Sequence, residues 1–134
     1  MIVVDTNIIG YLFLTSPFTQ AAENLYLLDD EWGAPLLWRS EFRNVLALYY
    51  RKKILSSEEI IALYSTASAM MAGREYEPNG QTVLKLATEN GCSAYDCEFI
   101  TIAQSLGVPL YTADKKLAHA FPETVIRLLS AGEP

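Results

Sequence analysis

Four acids spread along the sequence, Asp5, Glu41, Asp96 and Asp114, are the side chains best suited to chemistry in a chain with one histidine and two cysteines. Carboxylates offer only oxygen, so a group of them selects a hard ion such as Mg²⁺ or Mn²⁺. Two unit charges about 4 Å apart repel by about 4 kcal/mol at an effective dielectric near 20. Four in one crevice would cancel much of a small domain's net stability of about 5–15 kcal/mol. Such a cluster must therefore be partly protonated or hold a cation. Other chemistries are poorly supplied. His119 is the lone histidine, which weakens a Ser-His-Asp or Cys-His hydrolase. Cys92 and Cys97 lack the further ligands of a zinc site and are expected to be free thiols. There is no glycine-rich phosphate loop.

The elements that must position these acids can be read from periodicity. Residues 1–5 form an Ile- and Val-rich run expected to be a buried strand. A short helix to about Leu14 follows, and a second spans 18–28, after Pro17. Trp32 to Trp38 is expected to be a strand, with Pro35 confining it to an edge or an irregular start. A helix over 40–53 turns Phe42, Val45, Leu46 and Tyr49 to one face. Ser56-Ser57-Glu58-Glu59 opens a helix that Gly73 ends. A short strand over 74–77, a helix over 81–89 and a helix from Ser93 to Leu106 come next. Strands are expected over 108–112 and 124–129. Short strands alternating with helices predict a single α/β domain over 1–134: three layers, α/β/α, around a central, mostly parallel sheet of four to five short strands.

That topology gives the acids a common place. Asp5 and Asp114 follow strands, Asp96 lies in the first turn of a helix, and Glu41 is expected in the first turn of another. Open α/β sheets bind ligands beyond the carboxyl ends of their strands, so all four can reach one crevice. Each also has a local explanation. Asp5 and Asp114 suit helix N-caps, Ser93 to Asp96 approximates a capping box, and Glu41 suits a helix dipole.

Composition narrows the class. With 51% apolar and 19% charged residues, the chain has the material for a well-filled core. No apolar run reaches the roughly 18 residues of a membrane span and no secretory signal is evident, so a cytoplasmic protein is expected. The net charge of −6 argues against a broad cationic surface for nucleic acid. Arg39, Arg43, Arg51, Lys52 and Lys53 form a local basic group that reads more simply as a solvated helix face.

Four motifs in order carry a resemblance. They are Val4-Asp5-Thr6-Asn7, Ser40-Glu41-Phe42-Arg43-Asn44-Val45-Leu46, Ser93-Ala94-Tyr95-Asp96-Cys97-Glu98-Phe99-Ile100, and Thr112-Ala113-Asp114-Lys115-Lys116-Leu117. Along essentially its whole length the chain resembles PIN-domain ribonucleases, and most closely the VapC-type toxins of toxin–antitoxin pairs. The resemblance implies that Asp5, Glu41, Asp96 and Asp114 form an acidic tetrad binding Mg²⁺ or Mn²⁺, with Asn7 and Thr112 orienting them. It implies hydrolysis of RNA to 5′-phosphate and 3′-hydroxyl ends, a homodimer, and a cognate antitoxin laid along an apolar groove. Tyr49, Tyr50, Tyr64, Met70 and Met71 offer apolar material for such surfaces, or for the core. Glu98 is an extra acid near the tetrad, and Lys115 and Lys116 are candidates for phosphate contacts.

Competing assignments lack their residues. A receiver-type phosphoacceptor needs paired acids after the first strand, whereas Asp29-Asp30 follows a helix. A haloacid-type phosphatase needs an aspartate where Asn7 stands. A non-enzymatic alternative is a PIN fold kept as a module that binds RNA or an antitoxin.

Overall fold

A computed structural model describes residues 1–134. The first strand, β1 (Ile2–Val4), is buried at every position, as a strand covered on both faces must be. It leads into α1 (Thr6–Phe13) and α2 (Thr19–Leu28), then β2 (Trp32–Pro35), α3 (Leu37–Arg51), α4 (Ser57–Met71) and β3 (Glu75–Tyr76). The second half runs α5 (Gly80–Asn90), α6 (Ala94–Leu106), β4 (Leu110–Thr112), α7 (Lys115–Ala120) and β5 (Val125–Arg127). All strand pairs are parallel, in the order β3-β2-β1-β4-β5. Helices cover both faces, giving the three-layer α/β/α architecture expected from the sequence. α6 lies across β1, β2 and β4 with α5 against it, while α1, α3 and α4 pack on one another and on the sheet. No helix is long and apolar enough to cross a membrane.

Local chemistry sets most boundaries where the sequence puts them. Ser56 caps α4 in a complete capping box with Glu59. Asn79 caps α5, and Gly107 closes α6 in the left-handed conformation. α6 is buried over Cys97 and the run from Phe99 to Ala103, which fits a helix lying across the middle of the sheet.

The segment Trp32 to Trp38 departs from expectation. Only Trp32–Pro35 is strand, and Leu37 and Trp38 already belong to α3. β2 is not an edge: it pairs with β1 on one side and β3 on the other. Pro35 is tolerated because the β1–β2 register ends at Val3 with Gly33, so its missing N–H removes no rung there. The Leu36 amide then bonds the Tyr76 carbonyl and the chain turns into the helix. Apolar residues run through strand and helix alike, which hides the boundary from periodicity. Because α3 starts at Leu37, Glu41 lies in its second turn, not its first, and the helix-dipole explanation of this acid falls away.

The basic group disperses. Arg39 pairs with Glu75, and Arg43 stands over the Tyr64 ring at 5.4 Å while bonding its hydroxyl. Arg51, Lys52 and Lys53 are exposed at the end of α3, where cations suit the dipole. Met71 is fully buried in the core, whereas Tyr50 is half exposed.

Candidate active site

The strand order reverses direction at the β1–β4 pair, because the chain moves from β1 out through β2 and β3, then returns to place β4 on β1's other side. Such a switch point opens a crevice at the carboxyl ends of the strands. Asp5 stands immediately after β1 and Asp114 two residues after β4. α6 brings Asp96 and α3 brings Glu41 to the same place. All four acids line one cavity of about 370 Å³.

Two of the capping roles considered above are real. Asp5 is the N-cap of α1, accepting the Thr6 amide at 2.8 Å through Oδ1. Asp114 caps α7, its Oδ1 accepting the Lys116 and Leu117 amides. Capping and lining the cavity are not alternatives here, because each carboxylate has a second oxygen. Oδ2 of Asp5 accepts the Thr112 hydroxyl at 2.7 Å, and no hydrogen bond engages Oδ2 of Asp114. Ser93 caps α6 by accepting the Asp96 amide.

Thr112, fully buried, ties the site together. Its hydroxyl donates to Asp5 and accepts from the Asp114 amide at 3.1 Å and the Asn7 side-chain amide at 3.3 Å. Thr6, which sequence reasoning passed over, donates its hydroxyl to Glu41 Oε1 at 2.6 Å. Its position beside Asp5 on the first turn of α1 is the only sequence signal for that role.

The acids are compensated only weakly, the charge of Lys116 offsetting part of the rise at Asp96. No Lys or Arg makes an ion pair with any of them. Burial pushes the Asp5 carboxyl up to about 6, against the lowering pull of its bonds to Thr112 and Thr6, and the charges of Asp96 and Glu41 add to the rise. Glu41 is raised by burial, with the Thr6 bond opposing and the Asp96 charge adding. Asp96 is raised by burial and by the Asp114 charge. Glu98 is shifted up by burial and by Glu41, but it lines a different depression, beside Leu36 and Glu77.

The residues fit a hard divalent cation. They offer oxygen donors alone, in a setting that disfavours their own charge. Asn7 Oδ1 is buried without a partner at the cavity wall, an acceptor left for something the protein does not supply. The acids line the cavity without closing on one another, since no three stand near enough to form a ready-made metal cluster.

The cavity also has an apolar arm that the motifs did not announce. Gly10, Tyr11 and Leu14 continue the α1 face that begins at Asn7, and Val45 and Tyr49 continue the α3 face that begins at Glu41. Both are stripes at steps of three and four, but spacing along one helix does not show that the two stripes face each other across a cavity.

A family model described as PIN domain matches residues 2–121. The chain belongs to the PIN-domain family. Among curated relatives, Ribonuclease VapC3 of Pyrobaculum aerophilum is 26% identical over 128 residues, covering 92% of this chain and 97% of that protein. Solved structures share the PIN fold. A toxin-antitoxin complex from Klebsiella pneumoniae superposes with a TM-score of 0.70 at 16% identity, covering 97% of this chain and 99% of that one. FitAcB from Neisseria gonorrhoeae gives 0.71 at 18% identity, covering 94% and 96%. At those identities the likeness is one of fold, and the PIN assignment rests on the family match.

Proposed function

We propose that this chain is a metal-dependent endoribonuclease, the toxin of a toxin–antitoxin pair, working as a single PIN-like domain over residues 1–134. The observation that carries this is the meeting of Asp5, Glu41, Asp96 and Asp114, from four separate elements, in one cavity where none is in an ion pair with Lys or Arg. The family match, the curated relative named as a ribonuclease and the neighbour solved as a toxin-antitoxin complex support the same reading.

In this proposal the four acids hold Mg²⁺ or Mn²⁺. When bound, such an ion supplies Lewis acidity and makes nucleophilic water available near neutral pH. The chain's own residues do the positioning. Thr112 holds Asp5 through Oδ2 and Thr6 holds Glu41 through Oε1, so neither carboxylate is free to swing. Asp114 keeps one oxygen on the α7 amides and leaves the other without a hydrogen bond. Asn7 is fixed by Thr112 and presents its unpaired Oδ1. Hydrolysis of an RNA phosphodiester to 5′-phosphate and 3′-hydroxyl ends needs no histidine base, in keeping with an exposed His119 far along α7. A cognate antitoxin protein, a homodimer and a cytoplasmic location complete the proposal.

The test is turnover. Pure protein is incubated with a mixed RNA pool and Mg²⁺ or Mn²⁺, beside a chelator arm and an Asp96→Asn arm. Cleavage with metal that disappears in both controls is the expected result. A folded protein that cuts nothing with either metal is a binding module instead.

A further inference from the structure

The acids make up only part of the cavity lining. From Glu41 to Tyr49, α3 runs eight residues, about 12 Å of helix, and over that length the lining changes from carboxylate to aromatic and aliphatic. We infer that the apolar arm is a nucleobase subsite, which takes one unstacked base of a single-stranded RNA while the adjoining phosphate reaches the acids. The inference rests on the nuclease proposal and names what the same cavity recognises.

Four features point to a base. First, no Lys or Arg lines the cavity, so the arm is unsuited to a phosphate and suited to an uncharged group. Second, Tyr11 is a prepared platform. Phe18 stacks on it with ring centres 4.5 Å apart and planes 13° apart, and Tyr11 lines the cavity. A ring held by a neighbour loses little freedom when a base stacks on it, and base–aromatic stacking is tolerant of sequence. Third, the arm has polar tips for a heterocycle's edge. Tyr11 and Tyr49 both line the cavity, and each carries a phenol hydroxyl. Ser16 lines the cavity as well, its hydroxyl accepting the Phe18 amide at 3.0 Å. Fourth, the floor is left open by a glycine. Gly10 lies mid-helix, where glycine is unfavourable by roughly 0.5–1 kcal/mol against alanine. A Cβ built there meets no atom within 4 Å. Packing does not require a glycine at this position; an unobstructed cavity does.

A duplex hides its bases, so the subsite selects single strands, loops and ends. The chain's net charge of −6 makes such a local grip more useful than a broad electrostatic one.

Short oligoribonucleotides carrying 2-aminopurine, or an abasic sugar at the same position, are titrated with the full chain in Mn²⁺ and in chelator, and cleavage is followed in parallel. Stacking quenches 2-aminopurine, so single strands should quench and bind more tightly than their abasic or duplex counterparts. Gly10→Leu, which fills the arm, and Tyr11→Leu, which removes the platform, should each weaken binding by roughly 5- to 150-fold, the loss of one base–aromatic stack, and raise KM more than they lower kcat. Tyr11→Phe should keep the quench. Thermal melts separate these effects from unfolding, and Gly10→Leu is expected to melt no lower than the parent. Quenching without cleavage under any metal would leave the subsite standing and remove the nuclease. Cleavage whose KM ignores Gly10→Leu and Tyr11→Leu would keep the nuclease and overturn the subsite. If abasic and base-bearing strands bind alike, the arm takes something else, a partner protein's side chain first among the candidates, and the inference falls.

Discussion

The carboxyl group of Asp5 sets the proposed function against stability within one residue. In the fold it takes up its proton at about 6, whereas an ordinary aspartate does so at 3.8, and burial is the chief cause. The folded state therefore binds this proton more tightly than the unfolded chain, so stability falls as pH rises from one value to the other. About two pH units correspond to roughly 3 kcal/mol. Glu41 and Asp96 are shifted in the same direction. The lowered carboxyls of Glu59, Glu75 and Glu133 stay largely ionised above pH 5 and do not mask the effect. In chelator, urea unfolding should thus show the protein more stable at pH 5 than at pH 7.5. Asp5→Asn should flatten that slope. Asparagine caps a helix about as well as aspartate, and the substitution forfeits one bond to Thr112 worth about 1 kcal/mol. A net gain of about 2 kcal/mol at pH 7.5 is expected. A loss there would mean that Asp5 is held for its cap and not for an ion.

At the scale of elements, β2 is a closely packed joint in the frame that carries the site. A Cβ on Gly33 would stand 3.2 Å from the Tyr76 ring and 3.3 Å from the Arg74 carbonyl oxygen. That oxygen cannot retreat, because it accepts the Ala34 amide in the β2–β3 ladder. Gly33→Ala should lower the urea midpoint by the equivalent of about 1–2 kcal/mol, overpacking of about 1–3 kcal/mol less the gain from removing a strand glycine. The slope of unfolding against urea should not change. An unchanged midpoint would show that Tyr76 can move aside. β2 is also where the sequence was least legible. Capping residues and glycines mark the ends of α4, α5 and α6, and continuous Ile and Val mark β1. WGAPLLW carries no such punctuation, and Pro35 suggests an edge because its exemption depends on where β1 stops. The acids were legible for a related reason, since each follows a strand or opens near a helix start. The apolar arm was not, because nothing in either stripe reveals that α1 and α3 face each other across a cavity.

Charge is the property of the whole molecule that bears most directly on substrate. Under the proposed function, a protein at −6 has to hold a polyanion without a broad cationic surface. Binding of single strands weakens with salt at a logarithmic slope of about −0.7 for each phosphate neutralised. Lys115 and Lys116 are exposed at the start of α7, directly after Asp114, and the charge of Lys116 acts on Asp96. If they alone meet the backbone, the slope is about −1.4, a loss of about sevenfold between 50 and 200 mM salt. A surface making 6–10 phosphate contacts would lose about 10³- to 10⁵-fold over the same range. Binding titrations at fixed Mn²⁺ should therefore give the shallow slope, and Lys115→Ala with Lys116→Ala should bring it close to zero while leaving the preference for base-bearing over abasic strands intact. A slope of about −4 or steeper would place the backbone on a larger surface, with Arg51, Lys52 and Lys53 at the far end of α3 the first residues to replace.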